Sequence, residues 1–210
     1  MNRICRYLPL LFAISFAHAQ SAAEVNIGFG TVLDKAAGGG LDANLSTCTT
    51  GSTCLPTPSL NSFFMGFGGT IMFSKHLGFG GEASLQPAKK DYAGMQARQI
   101  FYDVDAVYAP VNQKKVMVRL AGGVGGARTS FSYTQTACVG TAVCQTQSQA
   151  IGNASHFQVH AGLGVQYYLN EHVFIRPQFD LHYVPNFTNQ FGSTMAPGFM
   201  FWLGYSMGDR

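Results

Sequence analysis

From residue 24 to residue 207, apolar side chains recur at every second position in segment after segment, with glycine and scattered polar groups between them. Period two marks a strand with one face in an apolar medium. No stretch sustains the 3.6-residue apolar period of an amphipathic helix, so the chain reads as β almost throughout. Eight strands are expected, at Glu24–Leu33, Ser62–Ser74, Leu77–Gln86, Arg98–Ala109, Val116–Ser130, His156–Leu169, Val173–Val184 and Thr194–Met207. The sixth is the cleanest: Phe157, Val159, Leu163, Val165 and Tyr167 alternate with His156, Gln158, His160, Gly162, Gly164 and Gln166. Pro177 and Pro197 fall inside expected strands, where a missing N–H predicts a bulge or a displaced strand end.

The connections alternate in length. Short turns fall at Lys75-His76, Pro110 to Lys115 and Asn170 to His172, and long polar connections at Asp34 to Asn61, Pro87 to Ala97, Phe131 to Ser155 and Pro185 to Ser193. Short on one side and long on the other is an up-and-down meander, the pattern of a bacterial outer-membrane barrel with periplasmic turns and external loops. Charged residues make up only 11% of the chain, too few to cover a water-exposed surface, whereas 47% hydrophobic content excludes disorder. After residue 19 no apolar run reaches the ~20 residues of a spanning helix. The faces follow from this. The polar, glycine-rich face suits a narrow packed lumen, and the nearly uncharged face, edged by Tyr102, Tyr108, Tyr167, Tyr183 and Tyr205, suits lipid. The expected fold is an all-β, eight-stranded antiparallel up-and-down transmembrane β-barrel. A soluble periplasmic barrel of lipocalin type, with the faces reversed, is the competing architecture.

Residues 1–19 read as a signal peptide, with Arg3 and Arg6 before the apolar Leu8 to Ala17 and an A-x-A site at Ala17-His18-Ala19; residues 20–210 form the barrel domain. Removing Arg3 and Arg6 leaves 11 Lys and Arg against 10 Asp and Glu, so nothing suggests nucleic acid as a partner. Cys5 leaves with the leader. The remaining four cysteines form two close pairs, Cys48 with Cys54 and Cys138 with Cys144, both in long connections on the outer side. Local disulfides are the simplest of three connectivities in an oxidising compartment, each ring removing roughly 2 kcal/mol of unfolded-state entropy. Zinc would need the two pairs brought together, usually at C-x2-C spacing, and no metal site or cofactor is expected.

Over the mature length the chain resembles the eight-stranded outer-membrane barrels, the OmpA-like and OmpX-like group. Its most local motif is the last strand, where Gly198, Phe201, Leu203 and Tyr205 look like the glycine-plus-aromatic signal that such proteins show to the barrel-assembly machinery. The resemblance implies the outer membrane of a Gram-negative-type bacterium, with lipid and that machinery as partners. No peptidoglycan-binding domain is expected to follow.

Alternation turns Glu82, Asp103, Asp105, Arg119, Arg176 and Asp180 inward, with His160 and His182 at similar height. Neighbouring strands would let Asp105 pair with Arg119, while Arg176 would reach Glu82 or Asp103 across the lumen. Buried charges must be paired, so a structural polar plug is expected. A narrow gated conduit opened by an ion-pair switch is the sharper alternative. A lipid-modifying enzyme is the other, and its sole Ser/His neighbourhood joins Ser130 or Ser132 to Ser155 and His156. His156 and His160 lie ~13 Å apart along one strand, too far to share an ion. Gly122-Gly123-Val124-Gly125-Gly126 lacks the helix and Lys-Ser/Thr of a phosphate loop and reads as close packing inside the barrel. Lys89, Lys90, Arg98 and Arg128 would stand at the outer rim, as solvated charge or facing lipid phosphates. The expected role is that of a non-enzymatic surface protein, serving membrane integrity or binding an extracellular ligand through the loops at Asp34 to Asn61 and Phe131 to Ser155.

Overall fold

A computed structural model of the chain describes residues 22–34, 59–92, 95–139, 143–189 and 191–208. The leader and Cys48 and Cys54 lie outside the described residues. In chain order the strands are β1 (Ala22–Val32), β2 (Ser62–Met72), β3 (Leu77–Leu85), β4 (Lys90–Tyr92), β5 (Met95–Asn112), β6 (Val116–Val139), β7 (Val143–Tyr168), β8 (Val173–Tyr183) and β9 (Met195–Met207). All pair antiparallel. Eight of them form a closed hydrogen-bonded ring of chain neighbours, sealed where β1 pairs with β9, from Ala23 opposite Met207 to Thr31 opposite Phe199. The three-residue β4 folds back on the start of β5 and leaves the ring to β3 and β5. A closed ring leaves no unpaired edge, which a lipid environment requires.

Two expected loops are largely strand. The connection Pro87 to Ala97 contains the β4–β5 hairpin, and most of Phe131 to Ser155 is a two-stranded ribbon, with β6 and β7 running 24 and 26 residues. A bilayer crossing takes only ~9–11 tilted residues, so the ribbon projects well past the wall. Its many Ser, Thr and Gln residues carry no apolar alternation, so the ribbon lacks the period-two signal of the wall. The prolines behave differently from each other. Pro177 interrupts the β7–β8 pairing between Gly164–Gln178 and Tyr167–Ile175 without a change of register, so no bulge forms there. Pro197 sits beyond Phe199, the last β9 residue paired with β1, and offers only its carbonyl, to the Leu33 N–H at 2.8 Å. Register shifts fall elsewhere, between Tyr108 and Val111 on β5 and beside Phe131 on β6.

The wall is apolar outward. Ile27, Val104 and Phe157 are 57%, 66% and 58% exposed, while Arg119 and Arg176 are 1% and 0% exposed inside. Tyr108, Tyr167 and Tyr205 stand outward toward the turn end and Tyr183 toward the loop end. Tyr102 also stands outward, and its ring lies across Gly126 of the neighbouring strand, filling the gap a glycine leaves in the wall.

The lumen is layered. At the turn end Ala22, Met72, Val107, Ala109, Met117, Tyr168 and Phe174 form one apolar cluster, and toward the loop end Phe64, Phe101, Phe187, Phe191, Met200 and Trp202 belong to another. Polar side chains fill the band between. Trp202 lies flat over Gly28 and Gly66, where an added Cβ would come within 2.5 and 2.4 Å of its ring; glycine there admits the indole. Eight strands leave an interior that side chains just fill.

Candidate functional site

Glu82 on β3 is the hub of the polar band. Its Oε1 accepts from Arg176 Nη2 at 2.6 Å and from Arg119 Nη2 at 3.4 Å, and its Oε2 accepts from Gln178 Nε2 at 2.8 Å. Arg119 also donates to Thr70 Oγ1, and Arg176 lies over the Trp202 ring, 5.4 Å from its centre. The same Gln178 amide donates to Asp180 Oδ1 at 2.7 Å, linking the guanidinium half of the band to a carboxylate half. There His160 holds Asp105 through Nδ1 at 3.0 Å and Asp180 through Nε2 at 3.2 Å. Asp103 completes it, with Oδ1 3.7 Å from His160 Nδ1.

The register explains why these groups meet. Asp105, Gly123, His160 and His182 occupy one row across β5, β6, β7 and β8. Asp103, Gly125 and Gln158 form the row beside it. Gly123 has no side chain to stand between Asp105 and His160; a Cβ there would lie 2.4 Å from Asp105 Oδ1. The glycine cluster on β6 is therefore the gap through which carboxylate and imidazole join. His182 stacks on His160 at 5.0 Å between ring centres and on Phe101 at 4.5 Å.

All six expected lumen residues, Glu82, Asp103, Asp105, Arg119, Arg176 and Asp180, thus come together with His160 and Gln178. Arg176 reaches Glu82 as expected. Asp105 does not pair with Arg119: Asp105 lies in the row of Gly123, four residues from Arg119 along β6, and the Arg119 side chain crosses instead to β3. Gln178 as the bridge and Trp202 as the cover were not anticipated. A second, smaller group was also missed, where Glu24 Oε1 accepts from Tyr168 OH and Gln166 Nε2, both at 2.8 Å, near the turn end.

The Ser/His neighbourhood does not assemble. Ser130 is opposite Asn153 and Ser132 opposite Ala150, three and six residues from His156, or roughly 10 and 20 Å of strand rise. Ser155 follows the strand alternation to the other face from His156, whose ring meets Phe187 edge-on. At the loop end, cations expected as solvated charge act as ties. Lys89 donates to Ser132 and Ser148 at 3.1 and 3.2 Å, Lys90 to the Asn61 carbonyl at 2.7 Å, and Arg98 to the Pro87 carbonyl at 3.1 Å. Arg128 is exposed.

The family profile described as outer membrane protein beta-barrel domain matches residues 8–205. The chain belongs to this family. Its setting is the outer membrane of Gram-negative bacteria, and the lipid-facing wall fits that setting. Among solved structures it is similar to Ail, the attachment invasion locus protein of Yersinia pestis, crystallised with the heparin analogue sucrose octasulfate. That match has 14% identity and a TM-score of 0.56, over 90% of this chain and 99% of that one. Neisserial surface protein A matches at 11% identity and TM-score 0.53, over 91% and 98%. OprG from Pseudomonas aeruginosa matches at 16% and 0.51, over 91% and 98%. A comparison with curated proteins returned no match. At these identities the likeness is one of fold.

Proposed function

We propose that this protein is a non-enzymatic surface barrel, in which the wall and filled lumen supply rigidity and the loop end supplies recognition of an extracellular ligand. The observation that carries the reading is the division of the molecule. The lumen band is enclosed between two apolar clusters, the outer wall is committed to lipid, and the long connections with the β6–β7 ribbon are what remains for a partner. On this reading the leader at residues 1–19 directs export, the assembly machinery reads the Gly198–Tyr205 strand, and the loop end faces outward. The second cysteine pair supports the same view. β6 and β7 set Cys138 directly opposite Cys144, the register a disulfide needs to staple the ribbon tip.

The test uses cells expressing the full chain, and cells expressing variants in which residues 35–58, or 134–147, are replaced by short Gly-Ser turns. Binding of intact cells to immobilised glycans and extracellular-matrix proteins is measured, with barrel formation checked by the mobility of unheated against boiled samples on a denaturing gel. The expected result is adhesion to at least one surface by the full chain, lost at least tenfold in a loop variant whose barrel still forms. Equal adhesion by full and loop-trimmed barrels would overturn the reading.

A further inference from the structure

We propose that Asp103, His160 and His182, inside the barrel, bind one divalent transition-metal ion, with Asp105 completing the donor set. One ligand atom from each of the three residues lies within 4.8 Å of the others, and all three residues are buried. Around them is a cavity of about 10 Å³, lined by Asp103, His160, Asp180 and His182 with Glu82, Ser84, Met200 and Trp202. That is close to the smallest volume able to admit a single water. Two observations independent of the clustering point to a guest. First, Asp103 Oδ1 and His182 Nδ1 have no hydrogen-bond partner, although the residues are only 7% and 5% exposed. Buried polar atoms left so carry a desolvation penalty that a ligand would relieve.

Second, the band is short of positive charge. Four buried carboxylates of the band, Glu82, Asp103, Asp105 and Asp180, face two guanidiniums, Arg119 and Arg176. A proton on His160 leaves the sum negative, and unpaired buried charge is expensive. The one positive charge still wanting is supplied by a second proton, or by a divalent cation that takes the place of the His160 proton.

The chemistry of the set selects the class of ion. Two imidazoles with one or two carboxylates suit a borderline metal such as zinc, at ~2.0–2.2 Å from each donor, rather than calcium or magnesium, which take oxygen ligands. The ion would sit at His160 Nδ1, displacing the proton shared with Asp105 and releasing it to solvent. His160 Nε2–H would keep its bond to Asp180, giving the carboxylate–histidine–metal chain that commonly orients a ligating imidazole. The side chains must draw together from their present spacing, and His182 has a free nitrogen with which to do so. The two apolar clusters enclose the site, so the ion enters as the barrel closes.

The experiment refolds the mature chain from urea into detergent with its cysteines oxidised, in the presence of Co²⁺, and then passes it through a chelator column. The expected result is about one cobalt retained per chain, with the visible bands of a four-coordinate nitrogen- and oxygen-ligated ion and no thiolate charge-transfer band. His182→Gln and Asp103→Asn should each lower retention at least tenfold, whereas Glu24→Gln, near the turn end, should keep it. The unheated gel mobility confirms that each barrel has formed. Wild type retaining no cobalt, a thiolate spectrum, or full retention in folded His182→Gln and Asp103→Asn would each overturn the proposal. Should a variant fail to fold, stoichiometry and spectrum of the wild type decide alone.

Discussion

Glu82 pairs with two guanidiniums at once, and removing its charge takes a carboxylate partner from both of these buried groups. Breaking a buried ion pair from one side costs about 3–5 kcal/mol, so Glu82→Gln should lower the urea midpoint of refolding into lipid vesicles substantially. Replacing Glu82, Arg119 and Arg176 together with Leu and two Met should restore only part of that loss, because the set leaves no partner of its own unpaired but withdraws two cations from beside Asp103, Asp105 and Asp180. The chain's sole tryptophan, Trp202, reports both transitions from inside the lumen. It also reports its own packing. Gly66→Val would place atoms 2.4 Å from the indole and should cost about 1–3 kcal/mol with a shift in emission, while Gly122→Ala, which meets nothing within 4 Å, should change neither. At this scale the alternation of the sequence told which side chains face inward, since that needs only period two. It did not tell which pairs form. Arg119 is long enough to pass β5 and reach Glu82 on β3, and such reach depends on register and on the bulge near Pro110. His160 and His182 were legible as lumen groups, but their contact lies across strands, and a reading along one strand finds only His156 and His160.

The element whose form was least visible is the β6–β7 ribbon. Inside the membrane band an apolar face must alternate with a polar one, and that contrast made Val116–Ser130 and His156–Leu169 legible. Beyond Phe131 the sequence turns to Ser, Thr and Gln, so residues 132–139 and 143–150 pair as strands without any apolar pattern to announce them. The register shift beside Phe131 marks where the two regimes join. In that ribbon the Cys138–Cys144 pairing has a direct check. Non-reducing peptide mapping should find one fragment holding both cysteines in oxidised form. Cys138→Ser with Cys144→Ser should leave the heat-dependent gel mobility unchanged, yet speed proteolytic cleavage of the tip on intact cells severalfold. The stabilisation expected of so small a ring, roughly 2 kcal/mol, acts on the ribbon alone because the barrel ladders hold the rest.

For the molecule as a whole, the question is whether the ring of strands is also a pore. At the turn end lies a vestibule of about 220 Å³, lined by Ser74, Lys75, Gln113 and Lys114, whose inner residues include Glu24, Met72, Met117 and Tyr168. Past that point lie the apolar cluster of Met117, Tyr168 and Phe174, then the Glu82 network, then Trp202 and the phenylalanines toward the loop end. An ion crossing this stack would have to strip its hydration at each apolar layer and break the Glu82 pairs between them, and each step alone costs several kcal/mol. The wild-type barrel in planar bilayers should therefore be electrically silent at moderate voltage. Thinning one layer should not change this, because the remaining layers are in series with it: Phe174→Ala alone should stay silent. Opening all three layers, with Phe174→Ala, Glu82→Ala, Arg176→Ala and Trp202→Ala combined in a barrel shown to be folded, should produce small discrete currents. Wild-type currents that disappear with Arg119→Met or Arg176→Met would instead make the ion-pair network a gate, and the lumen the functional part of the molecule.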